Sequence, residues 1–83
     1  MSQPRTALIG VPLAMSQNVI YALPVRYPFG IFVSPPSVTI EVADENDAGE
    51  FEATTIDAAG QIYTSAAFIR CTSDDCTLIC KAL

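Results

Sequence analysis

The chain has 83 residues, a mass of 8.9 kDa and a formal net charge of −5, with four Lys or Arg against nine Asp or Glu. That length holds one domain; the lack of His excludes imidazole chemistry, and four scattered cations (Arg5, Arg26, Arg70 and Lys81) exclude the basic surface that nucleic acids require. An apolar fraction of 51% excludes a disordered chain and exceeds what so small a monomer readily hides, which points to a partner surface.

Residues 1–17 read as an extended, Pro-containing N-terminal arm. Residues 7–15 imitate the apolar stretch of a signal peptide, with Arg5 before it and Ala14-Met15-Ser16 like a cleavage site. Pro12 interrupts that stretch, so the segment is expected to be retained. No apolar run is long enough to span a bilayer, and no membrane partner is expected. All six prolines lie within the first 36 residues.

Residues 18–83 read as a single β domain. No window carries helical apolar spacing free of Pro or Gly, whereas period-two alternation recurs. Residues 19–25 and 29–33 read as strands interrupted by Pro24 and Pro28, which confine them to sheet edges or bends because proline donates no ladder bond. Residues 37–43 alternate with Val38, Ile40 and Val42 on one face. Residues 44–49 form a turn rich in Asp, Asn and Gly, and residues 50–56 return with Phe51 and Ala53 inward. Residues 57–60 turn again, and residues 61–64 lead into a strand at 66–72.

The last two strands read as a hairpin with a two-residue turn at Asp74-Asp75, which sets Cys71 opposite Leu78 and Ile69 opposite Cys80. One face then carries Ala67, Ile69, Cys71, Leu78, Cys80 and Ala82; a slip of one residue would bury Thr77 and Lys81 instead. Short strands with turns every 8–12 residues predict an all-β fold, a small β-sandwich or barrel-like meander behind the arm.

Charge divides as sharply as proline. Residues 1–40 hold only Arg5 and Arg26, while all nine acids lie between Glu41 and Asp75. The run Asp44-Glu45-Asn46-Asp47-Ala48-Gly49-Glu50 half matches a calcium loop, with Asp44, Asn46, Gly49 and Phe51 in place. Ala48 and Thr55 replace two ligands, so a solvated hairpin loop is the better reading and no metal is expected.

Cys71, Cys76 and Cys80 lack the paired spacing and fourth ligand of a zinc site and read as reduced, small buried hydrophobes. A disulfide remains the alternative, although the hairpin geometry puts Cys76 beyond unstrained reach of the other two. No nucleophile has an activating base, no Gly-rich phosphate cradle occurs, and neither an enzymatic role nor a cofactor is expected. The arm and the strands after it combine aliphatic, Tyr and Arg side chains, the mixture favoured in interface centres. Candidate interface residues are Arg5, Leu8, Ile9, Val11, Leu13, Met15, Tyr21, Arg26, Tyr27, Phe29 and Phe32. Residues 1–16 are taken as surplus to one small core.

The segment Val19-Ile20-Tyr21-Ala22-Leu23-Pro24, the β meander, Ala66-Ala67-Phe68-Ile69-Arg70-Cys71 and the closing Cys80-Lys81 resemble small structural proteins of tailed bacteriophages. The resemblance covers about the last three quarters of the chain and leaves out the arm and the acidic loop. It implies a virion component made in the host cytoplasm, a capsid decoration or cement protein contacting the major capsid protein or other virion subunits. It also implies a homo-oligomer, with a trimer favoured, and brings no catalytic residues. A tail or neck component is a variant of the same expectation. In another class, the acidic face suits a small soluble adaptor or inhibitor that masks a basic protein.

Overall fold

Eight strands carry the fold in the computed structural model, which describes residues 4–24 and 29–82. They are β1 (Leu13–Met15), β2 (Tyr21–Ala22), β3 (Phe29–Ser34), β4 (Ile40–Ala43), β5 (Glu52–Thr54), β6 (Gln61–Ile62), β7 (Phe68–Cys71) and β8 (Cys76–Ala82). A single 3-10 turn, Ala48–Glu50, lies between β4 and β5. One sheet has the order β1-β8-β3-β6 and the other β2-β7-β4-β5. Every strand pair is antiparallel, and neither sheet closes on itself. The chain is all-β, as its alternation predicts. Among the described residues no helix is long and apolar enough to cross a membrane.

Alternation decides which side chains enter the core. On β8, Cys76, Leu78 and Cys80 are buried while Thr77 and Lys81 are exposed. On β3, Ile31 and Val33 are buried between β8 and β6. Ile40, Ile69 and Cys71 of the second sheet join these residues in one apolar cluster. Complete burial of a side chain such as Leu78 is worth about 2–3 kcal/mol.

The β7–β8 hairpin does not form. β7 pairs with β2 and β4, and β8 pairs with β1 and β3, so the chain arches from one sheet to the other over residues 72–75. The competing ladders explain this outcome. β8 matches β3 over six residue pairs, from Phe29↔Ala82 to Ser34↔Thr77. β7 matches β4 over four, from Ile40↔Cys71 to Ala43↔Phe68. Ile69, Cys71, Leu78 and Cys80 all face the core, but from two sheets rather than side by side in one.

The N-terminal segment is not surplus. Ala7 donates to the Ala22 carbonyl and Ala22 donates to the Arg5 carbonyl, at 2.9 and 2.8 Å, so this stretch borders β2. Gly10 then donates to the Cys80 carbonyl at 2.7 Å, and β1 pairs with β8 from Leu13↔Leu78 to Met15↔Cys76. Ala7, Leu13 and Met15 are 2%, 5% and 2% exposed. Their burial has a simple cause: so short a chain has few apolar side chains with which to fill its own core.

Two smaller expectations are also corrected. β2 lies at a sheet edge but β3 is interior: it starts at Phe29, after Pro28, and has no proline within its six residues. Ala53 is exposed on the edge strand β5, and Phe51 is only half-buried. Pro28 lies outside the described residues.

Candidate docking surfaces

The turn of residues 8–11 is built to be rigid. Val11 donates to the Leu8 carbonyl at 3.1 Å, closing a four-residue turn, and Gly10 takes φ +79°, a conformation only glycine adopts without strain. Ala7 is tied to β2 on one side and Gly10 to β8 on the other. The turn therefore holds Leu8 and Val11 in solvent at 60% and 50% exposure.

The other candidate interface residues divide. Leu13, Met15 and Tyr21 are buried, so they hold the fold together instead of meeting solvent. The Tyr21 hydroxyl accepts a hydrogen bond from the Ser16 amide at 2.8 Å, fixing the exit of β1. Arg5 is exposed, and Ile9, Phe29 and Phe32 are half-buried. The Lys81 ammonium stands 5.1 Å from the Phe32 ring centroid on the outer face of the first sheet. Arg26 and Tyr27 lie outside the described residues.

A second feature lies where the loop of residues 44–51 joins β4 to β5, and a groove of about 600 Å³ runs there beside Asp44, Glu45, Glu50 and Glu52. Thr64, Ser65 and Ala66 line it as well. Asp47, in the middle of the same acidic run, faces a local task. Its carboxylate accepts from the Gly49 amide at 3.0 Å and caps the 3-10 turn. Among the described residues no group of three or more His, Cys, Asp or Glu is placed to hold a metal ion. The contribution of Glu52 could have been read from its nearness to the acidic run; that of residues 64–66 had no signal in sequence.

Tyr63 and Val19 also stand in solvent, at 70% and 44% exposure, with nothing in the alternation to mark them. The Tyr63 hydroxyl donates to the Asp57 carboxylate at 3.1 Å, which raises its pKa above the usual phenol value. Asp57 Oδ1 in turn accepts from the Ala59 and Gln61 amides at 2.8 and 2.9 Å.

All three cysteines are free and buried. Cys76, expected beside an exposed turn, is only 7% exposed because β8 starts at it and pairs it with Met15. Burial first, then the neighbouring Cys71 thiol and Asp75, pushes the Cys76 thiol up to about 12. Burial alone pushes Cys80 to about 11. Thiols so reluctant to ionise are weak nucleophiles.

No known protein family, curated protein or solved structure matches the chain. What bears on function is therefore the chemistry of these surfaces.

Proposed function

We propose that the chain is a non-enzymatic structural protein of a tailed-phage virion, a small β-sandwich that decorates or cements the capsid shell. The observation that carries this is the pinned turn of residues 8–11, which holds Leu8 and Val11 out in water. Exposing large apolar side chains costs free energy unless a partner covers them. A turn already fixed by backbone bonds loses little further freedom on docking, which favours binding. The phage assignment rests on the resemblance of residues 19–24 and 66–71 and of Cys80-Lys81 to virion structural proteins. The expected partner is the major capsid protein or a neighbouring virion subunit, reached as a monomer or as a homo-oligomer, with a trimer favoured.

Cosedimentation with shells of the phage that encodes the chain tests this. Deleting the N-terminal segment would be uninformative, because Leu13 and Met15 belong to the core. The paired substitution Leu8→Glu with Val11→Glu leaves that core intact and should release the protein from the shell. Undiminished binding of this folded variant would refute the docking role.

A second reading is supported by the acidic groove beside Asp44, Glu45, Glu50 and Glu52. Four carboxylates along one groove favour a basic protein partner, and exposed charges are screened by salt. An adaptor acting this way would lose affinity steeply between low and high ionic strength, whereas apolar docking through residues 8–11 would hold or strengthen.

A further inference from the structure

Cys71 ends β7 in one sheet and Cys76 begins β8 in the other, so residues 72–75 bridge the two sheets. Both side chains enter the core, at 0% and 7% exposure. Contacts through β1 bring Cys71 to the strand that pairs with Cys76. Cys71 Sγ lies 4.0 Å from the Met15 carbonyl oxygen and 3.5 Å from that of Ser16, and Met15 is the residue opposite Cys76 in the β1–β8 ladder. The Cys71 thiol is also near enough to Cys76 to help raise its pKa. Cys76 has a route to solvent as well, because it lines a surface groove of about 350 Å³ beside Ser16, Ser34 and Asp75.

We propose that Cys71 and Cys76 are a latent redox pair, which closes a disulfide between the two sheets when a small organic disulfide enters this groove. In the first exchange the Cys76 thiolate attacks one sulfur of the small disulfide, forming a mixed disulfide and expelling one small thiolate. In the second, the Cys71 thiolate attacks Cys76 Sγ and expels the other. The two protein thiols are oxidised, the small disulfide is reduced to two thiols, and these take up the two protons. The raised Cys76 thiol makes this slow at neutral pH and faster by about tenfold per pH unit below its own value. A slow lock fits a protein that folds reduced and is later exposed to oxidising surroundings. Cys80, whose shift comes from burial alone, takes no part.

The test incubates the reduced full chain with oxidised glutathione at pH 8.5, then alkylates it in denaturant and maps it by mass spectrometry. The expected product is lighter by two hydrogens, carries one alkyl group on Cys80, and stays joined after cleavage at Asp74 until it is reduced. Its Tm should rise by about 5 °C or more, as a disulfide restricts the unfolded chain. Cys80→Ser should form the same link and carry no alkyl group, while Cys71→Ser and Cys76→Ser should abolish the link. Three alkylated cysteines, a lasting glutathione adduct on Cys76, or any link to Cys80 would each overturn the proposal. The Cys80→Ser protein separates these outcomes even if the other two variants fail to fold.

Discussion

Arg70 stands directly opposite Glu41 in the β4–β7 ladder and donates two hydrogen bonds to one carboxylate oxygen, from Nε at 2.9 Å and from Nη2 at 2.7 Å. Its guanidinium carbon also lies 4.6 Å from the centre of the Phe51 ring, so one cation ties β7 to β4 and to the residue before β5. Arg70→Ala should lower unfolding stability by about 1 kcal/mol, the combined scale of a partly buried ion pair and a surface cation–π contact. Urea titration of Arg70→Ala and Glu41→Gln, singly and together, measures the pair. Additive effects would mean that the two side chains do not cooperate.

The N-terminal segment supplies the clearest contrast between core and surface. Met15→Ala and Leu13→Ala remove side chains from a packed interior and should each cost about 2–4 kcal/mol. Leu8→Ala and Val11→Ala trim exposed side chains and should change stability by less than about 0.5 kcal/mol. Equal, small effects at all four positions would mean that residues 4–15 are not part of the folded unit.

Period-two alternation carries parity but not pairing, which explains both what the sequence reveals and what it hides. Ile69, Cys71, Leu78 and Cys80 are legible as core positions because each shares a face with its neighbours two residues away. A hairpin and an arch between sheets preserve the same parity, so Asp74-Asp75 looks like a tight turn until the longer β3–β8 ladder competes for β8. The arm misleads for a different reason. Pro4 and Pro12 read as breaks, yet proline ends a ladder bond without keeping Ala7, Leu13 or Met15 from the core. Of the docking surfaces, the apolar content of residues 8–11 is legible; the part of the acidic groove lined by residues 64–66 is made by tertiary packing and is not.

Gly60 is held at φ +85°, and its carbonyl accepts from the Val33 amide at 2.9 Å. A Cβ there would sit 2.7 Å from the Val33 carbonyl oxygen, which is backbone of the interior strand β3 and cannot swing aside. Gly60→Ala should therefore cost about 2 kcal/mol or more, from the left-handed backbone and the collision together. Gly10 also has a positive φ but nothing within 4 Å of the added carbon. Gly10→Ala should be milder, about 1 kcal/mol, and thermal melts of the two variants compare them directly.

The buried thiols lead to a kinetic prediction. With Cys76 raised to about 12 and Cys80 to about 11, native protein at pH 8 should react with a small alkylating reagent far more slowly than unfolded protein. Cys76, which lines the groove near Ser16, should still react before Cys80. Labelling followed by peptide mapping over time gives the order. Early modification of Cys80 would mean that β8 frays from its C-terminal end.

Acid should loosen the turn at residues 57–61 first. The Gln61 amide, with smaller help from the Ala59 amide, the Tyr63 hydroxyl and the Gly60 amide, holds the Asp57 carboxylate below its ordinary pKa of 3.8, against an opposing desolvation second only to the Gln61 bond. A carboxyl group with a depressed folded pKa releases its proton more readily in the native state. Its contribution to stability is therefore complete above the unfolded value of 3.8 and is lost as pH falls through the lower folded value. Asp57→Asn keeps a capping oxygen but has no proton to gain. The stability gap between the natural protein and this variant should be constant from pH 7 to about pH 5 and should narrow below that. Urea midpoints across this range decide the matter; a gap that stays fixed down to about pH 3 would show that ionised Asp57 does not favour the native turn.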